Sequence, residues 1–233
     1  MSRIANRAGT NANLASGDIR NVIKTLASLP KSYKNCIHVG INDRDFDIVA
    51  RNVVLLLIAL QVQDVDKAVD CMLHVWYSAL VRDSDATILQ THVRPLIEDV
   101  CQKIMEKPTG SLQGKTFSFD ARSLRLVLTK EKWSLLLTYL DVPKGVSKEV
   151  AEKVRTAVTL APSRIDFQDR HSFIQEPRLR LPSHRFREDG LLLPFGASRE
   201  DFCTPNPHAC YQCVVTSLAN GCSELSSRPP SGL

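Results

Sequence analysis

Two short stretches hold residue types that could do chemistry. Gly17, in Ser16-Gly17-Asp18, precedes Asp43, in the loop Asn42 to Asp47, by a spacing compatible with a nucleotide site. In α/β folds that bind nucleotides, a glycine turn is followed about 20 residues later by an acid that accepts hydrogen bonds from ribose hydroxyls. The same residues support a plainer reading. Ser16 or Asp18 would cap a helix beginning at Ile19, and Asp45 or Asp47 would cap one beginning soon after, since these types accept hydrogen bonds from the first free N–H groups of a helix.

A second group is cationic. From Arg164 to Asp189 the chain carries Arg170, His171, His184, Arg185 and Arg187 among other arginines, interrupted by acids and with few apolar residues. This reads as an extended basic arm. Its guanidinium forks match phosphate or carboxylate groups, so it could bind phosphate or an acidic partner; the plainer reading, a surface arm whose arginines pair with acids of its own domain, is favoured because runs of mixed sign are usually solvated faces. Leu191 to Phe195 then offers an apolar anchor that could dock the arm on the core.

The third group is thiol. Cys203, Cys210, Cys213 and Cys222 follow C-x6-C-x2-C-x8-C beside His208. One close-spaced pair invites zinc, but a structural site normally joins two such pairs, so no metal is expected. The six histidines are scattered without paired metal spacing, and no catalytic signature is complete.

The totals allow one substantial domain with tails. Over 233 residues, 43% are hydrophobic and the formal charge is +5 with both signs interspersed, so neither nucleic acid nor membrane is expected as a partner. The longest apolar run, Val53 to Leu60, is too short to span a bilayer. No apolar leader follows Arg3 and Arg7, and Cys36, Cys71 and Cys101 fall in apolar patterns as buried thiols. A cytoplasmic, alternatively nuclear, protein is expected.

These groups must be positioned by regular elements. Residues 1 to 14 are polar and read as disordered, and Ile19 to Leu29 has helical spacing ended by Pro30. Ile37, Val39 and Ile41 alternate as a strand, and the almost wholly apolar helix after Asp47 requires cover on all sides. Val65 to Val81 reads as an amphipathic helix with Val65, Ala68, Val69, Met72, Leu73, Trp76, Ala79 and Leu80 inward, and Lys67, Asp70, His74 and Ser78 outward. The helix from Ser84 or Asp85 to Glu106 should be bent or split by Pro95, which cannot donate to residue 91. Lys115 to Phe119 and Ser123 to Leu128 read as strands, Glu131 to Leu140 and Lys148 to Thr159 as helices, and residues 208 to 233 as a disordered tail.

SGDIRNVIKTLASLP, INDRDFDIVARNVVLLLIAL, AVDCMLHVWYSALVRDSD and HRFREDGLLLPFG together resemble the domain of unknown function 4470 family, over about residues 15 to 207. Fungal members of that family often carry a fused MYND-type zinc finger, and a related domain opens the animal dynein axonemal assembly factor three. The resemblance implies a helix-rich α/β domain, Rossmann-like and three-layered, spanning residues 15 to 163, related in outline to S-adenosylmethionine-dependent methyltransferases. Gly17 and Asp18 would mark its first βα turn, and Asp43 or Asp45 its ribose-binding position. The family's first strand should precede Ser16, so the core is expected to lack it, as a truncated gene model would; the tail does not resemble a MYND finger.

Two functions follow. A protein-interaction or assembly adaptor is favoured by the single glycine of the turn and the lack of a nucleophile-base constellation, so no catalytic residue and no cofactor are assigned. The alternative is a methyltransferase-like enzyme that binds S-adenosylmethionine between Gly17 and Asp43.

Overall fold

The computed structural model describes residues 5–7, 9–15, 19–159, 165–194 and 196–209. Two compact units divide the chain: residues 1–53 with 230–233, and residues 54–229. Helices and small sheets alternate in a mixed, helix-rich α/β arrangement.

In the first unit, β1 (Ala5–Arg7) pairs antiparallel with β2 (Gly9–Ala15), and β2 pairs parallel with β3 (Ile37–Asn42). Helix α1 (Ile19–Ala27) connects the two parallel strands. The expected loss of the first strand is therefore corrected; of the residues 1 to 14 expected to be disordered, 5–7 and 9–14 lie in strands and the rest fall outside the described residues. Gly9–Ala15 supplies a strand directly before Ser16. Its sequence alternates Thr10, Ala12 and Leu14 with Asn11 and Asn13, a period of two carried by small and polar residues that hydrophobicity alone does not reveal.

β3 shows the expected alternation, with Ile37, Val39 and Ile41 half-buried between exposed residues. Helix α2 (Phe46–Gln61) follows. From Ala50 to Ile58 it is buried except at Arg51 and Leu56, which are half-buried, as its continuous apolar run requires. The boundary between the two units falls within it.

The second unit continues with α3 (Val65–Tyr77), capped by Asp64, whose carboxylate accepts the Lys67 N–H at 3.2 Å. Its inward face differs from the expected one. Ala68, Cys71, His74 and Val75 are buried, while Val65, Val69 and Leu73 are exposed and Trp76 is half-buried against Tyr77. The small residues Ala68 and Cys71 allow close packing, so the helix is rotated toward them and away from its largest apolar stripe. After β4 (Leu80–Arg82), α4 (Asp83–Ile88) leads through a π-helical turn at Leu89–Val93 into α5 (Arg94–Lys103). Pro95 lies in the first turn of α5, where its missing N–H costs no intrahelical bond, and the wide turn before it splits the helix as expected.

A hairpin of β5 (Leu112–Phe119) and β6 (Arg122–Thr129) precedes α6 (Lys130–Thr138) and α7 (Lys148–Thr159). The arm is corrected from extended to helical: α8 (Ile165–Ile174) and α9 (Pro177–Asp189) occupy it. Arg-Leu-Arg-Leu imitates a strand's alternation, yet Arg and Leu are both good helix formers and Pro177 begins α9 where proline is tolerated. β7 (Phe202–Pro205) closes the unit by pairing antiparallel with β4.

Candidate functional site

The first candidate lies at the carboxyl ends of β2 and β3, which are in register at Ala15 and Asn42. Asp43 is half-buried, and its Oδ1 accepts the Asp45 N–H at 3.0 Å. Asp45 is exposed; its Oδ1 accepts the Asp47 N–H at 2.9 Å, and its carbonyl accepts the Val49 N–H at 3.2 Å. Asp45 thus caps α2, the plainer of its two readings. Gly17 and Asp18 lie outside the described residues. Within α2, Asn52 is only 3% exposed, and neither of its amide atoms is hydrogen-bonded among the described residues. Its place within an apolar run hid it, and burying an unpartnered amide costs about 1–3 kcal/mol.

A second cluster is buried beneath β4. His74 Nδ1 is 2.8 Å from Asp85 Oδ2, and the same oxygen accepts the Arg82 N–H at 3.1 Å and faces Arg82 Nε at 3.5 Å. Arg82 Nη2 donates to Asp70 at 2.8 Å and also lies 3.2 Å from His74 Nδ1. Because a carboxylate only accepts, Nδ1 must carry the proton toward Asp85, and the guanidinium is a neighbour of that nitrogen rather than its donor. Partial burial works against the Arg82 charge, but the Asp70 and Asp85 carboxylates outweigh it and hold its pKa above the ordinary arginine value.

Phe202 meets His74 edge-on, with ring centroids 4.9 Å apart, and Arg82 lies over the same ring. Asn206 then donates its side-chain amide to the carbonyls of His74, Val75 and Ser78 at 3.2, 2.9 and 2.7 Å, closing the end of α3. Cys71 is buried alongside; loss of solvation, then the Asp85 charge, pushes its thiol pKa up, so it is protonated and inert. The cluster fastens α3, β4, α4 and β7 to one another. His74 and Ser78 were assigned to the outer face, and the only signal against that was their spacing with the small residues Cys71 and Val75.

The third candidate is the pair α8 and α9. Gln175 donates to Ser183 Oγ at 2.7 Å, and Arg180 donates to the carbonyls of Gln175 and Phe173, so it closes the end of α8. Arg178 pairs with Glu176 at 2.6 Å, and His184 with Glu188 at 3.4 Å. Of the five residues assigned to partner binding, Arg170, His171, His184 and Arg185 are exposed and Arg187 is half-buried. Arg185 makes no ion pair among the described residues. At the joint between the helices, Phe173 and Ile174 are 81% and 86% exposed, and Leu179 and Leu181 are exposed nearby in sequence.

Gly190, in the left-handed region at φ 69°, ends α9 by donating to the Phe186 carbonyl. The chain then turns inward. Leu191 is buried with Leu80, Ala151 and Phe202, and the Leu192 N–H donates to Ser78 Oγ at 3.1 Å. Between α9 and residues 191–193 and 196–199 lies a pocket of about 370 Å³, lined by Phe186, Leu192 and Leu193 with Arg185 and Arg199. Arg199 is engaged by Asp189 at 2.5 Å.

Comparison with known families decides one point. Residues 11–81 match the model of a domain of unknown function, DUF4470. The matched segment begins inside β2 and ends inside β4, so it takes in three of the four resembling stretches, the third almost to its end. HRFREDGLLLPFG, on α9 and the turn after it, lies outside the match. Comparisons with curated proteins and with solved structures return no match.

The DUF4470 segment therefore contains Asp43, Asp45, Asn52 and His74, whereas Asp85, Asn206 and the α8–α9 pair lie beyond it. Cys36 is within it and is exposed, not the buried thiol expected; its Sγ lies 3.8 Å from His38 Nε2. Of the cysteines considered for zinc, Cys203 is exposed and donates to the Glu200 carbonyl, while Cys210, Cys213 and Cys222 lie outside the described residues. No helix among the described residues is long and apolar enough to cross a membrane.

Proposed function

We propose that the chain is a protein-interaction or assembly adaptor that engages its partner through the α8–α9 pair. One observation carries this reading: Phe173 and Ile174 stand 81% and 86% exposed beside exposed cations, an apolar surface of the kind that marks protein contacts. Arg170, His171, His184, Arg185 and Arg187 would supply the complementary charge for an acidic partner.

Affinity purification with the intact chain tests this. A partner recovered reproducibly by the wild type and lost from a folded Phe173→Asp, Ile174→Asp double variant supports it; equal recovery, or no reproducible partner, counts against it.

A second reading has its own support. β2, α1, β3 and α2 follow the order that opens a Rossmann-like, methyltransferase-related domain, with two parallel strands ending side by side. On that reading S-adenosylmethionine would lie beyond those ends against Gly17, Asp18, Asp43 and Asp45, supplying a transferable methyl group. Calorimetry with the intact chain showing no heat of binding at millimolar cofactor would remove it.

A further inference from the structure

A pocket lies between α9 and residues 191–193 and 196–199. Its walls are the Phe186, Leu192 and Leu193 side chains, and about 370 Å³ suits one or two large side chains. A whole helix, about 10–12 Å across, needs far more room. An extended segment inserting an apolar anchor does not.

The charges around it are unevenly used. Asp189 is taken by Arg199 and by the Leu191 N–H, and Glu188 faces His184. Arg185 lines the same pocket, is exposed, and has no ion-pair partner among the described residues. A planar guanidinium beside an apolar pocket selects a carboxylate next to an apolar group, because the fork can bind both oxygens while the anchor fills the cavity.

We infer that this pocket docks an extended acidic peptide segment of the partner, its leucine-type anchor between Phe186 and Leu193 and an adjacent carboxylate on Arg185. This deepens the adaptor reading and rests on it, but occupies a different surface from Phe173 and Ile174.

The test uses fluorescence anisotropy of the intact chain with a labelled peptide, Glu-Asp-Leu-Leu-Asp-Glu. Saturable binding is expected. Arg185→Glu should weaken it by about tenfold or more, the size of one charge-assisted contact, while Arg122→Glu at the start of β6, with the same change in net charge, should shift it less than about twofold. Replacing both peptide leucines with alanine should also weaken binding by about tenfold. Arg185→Gln serves as a second variant should the charge reversal disturb folding, judged by the thermal midpoint.

Absence of saturable binding overturns the inference. So do equal losses from Arg185→Glu and Arg122→Glu, which would mean diffuse attraction, undiminished binding of the alanine peptide, or Arg185-dependent binding of laurate where the peptide fails. The Phe173→Asp, Ile174→Asp variant should still bind the peptide. Partner capture that depends on those two residues but not on Arg185 would leave the adaptor standing and remove only this pocket.

Discussion

His74 presents its Nδ1 to Asp85 at 2.8 Å where both side chains are almost wholly buried, 5% and 3% exposed. The carboxylate also holds the Arg82 backbone N–H, so one acid orients the α3 imidazole and closes the first turn of α4.

Removing that acid should be far more damaging than removing the exposed one nearby. Asp85→Ala strands His74 and the Arg82 N–H without an acceptor and should cost about 3 kcal/mol or more. Asp70→Ala removes the exposed partner of the same arginine and should cost less than about 1 kcal/mol. Urea denaturation of the three proteins checks this; losses of equal size would mean the buried acid is no more than a surface charge.

Asn52 predicts a change of the opposite sign. Replacing a buried amide that bonds to nothing with an apolar side chain of similar size removes a desolvation penalty, so Asn52→Leu should raise stability by about 1 kcal/mol. A marked loss in the same denaturation experiment would show that the amide has a partner.

Glu131 should contribute to acid sensitivity. Its pKa is held below the ordinary 4.5 chiefly by the Gly110 N–H, which donates to its Oε1 at 2.7 Å. A depressed carboxylate adds stability above its unfolded pKa and loses it as pH falls through the folded value. Glu131→Gln should therefore melt below the wild type at pH 7 and converge with it as pH falls through and below about 4.5. A gap that persists unchanged at pH 3 would contradict this.

Thiol accessibility should separate the described cysteines. Under native conditions at pH 8, iodoacetamide should label the exposed Cys36 and Cys203, whereas Cys71, buried and held protonated, should react only after denaturation. Mass spectrometry of the labelled peptides reads the result directly; rapid native labelling of Cys71 would mean that α3 opens readily.

Strong apolar periodicity was legible where one residue class dominated. The α1 start at Ile19, the β3 alternation, the α2 interior, the division at Pro95 and the bounds of α7 all follow from spacing and from proline's missing donor. Where small or polar residues carried the structure, spacing misled. β2 is built on Asn, Thr and Ala, and α3 buries Ala68 and Cys71 instead of its larger apolar neighbours. α9 was hidden by its charge: its scarcity of apolar residues reads as an extended arm, yet its backbone is helical.

The candidate site divides along the same line. Asp45 is legible as a cap because its partner is two residues away. The contact of Asn206 with the His74 carbonyl joins residues 132 apart, and His74 meets Asp85 only because α3 and α4 fold together, so no local spacing encodes either; the pocket beside Arg185 is local, but it forms only once α9 ends at Gly190 and the chain turns back.

Asn206 has one more consequence, for how the chain could be shortened. The DUF4470 match stops at Val81, one residue before the end of β4. Beyond that stop lie β7, which satisfies the peptide groups of β4, and Asn206, which satisfies three carbonyls at the end of α3. A fragment cut where the match ends would present an open strand edge and an uncapped helix end to solvent. The end of the match is therefore not a boundary in the folding of this chain, and residues 202–206 act as the clasp that the fragment would lack.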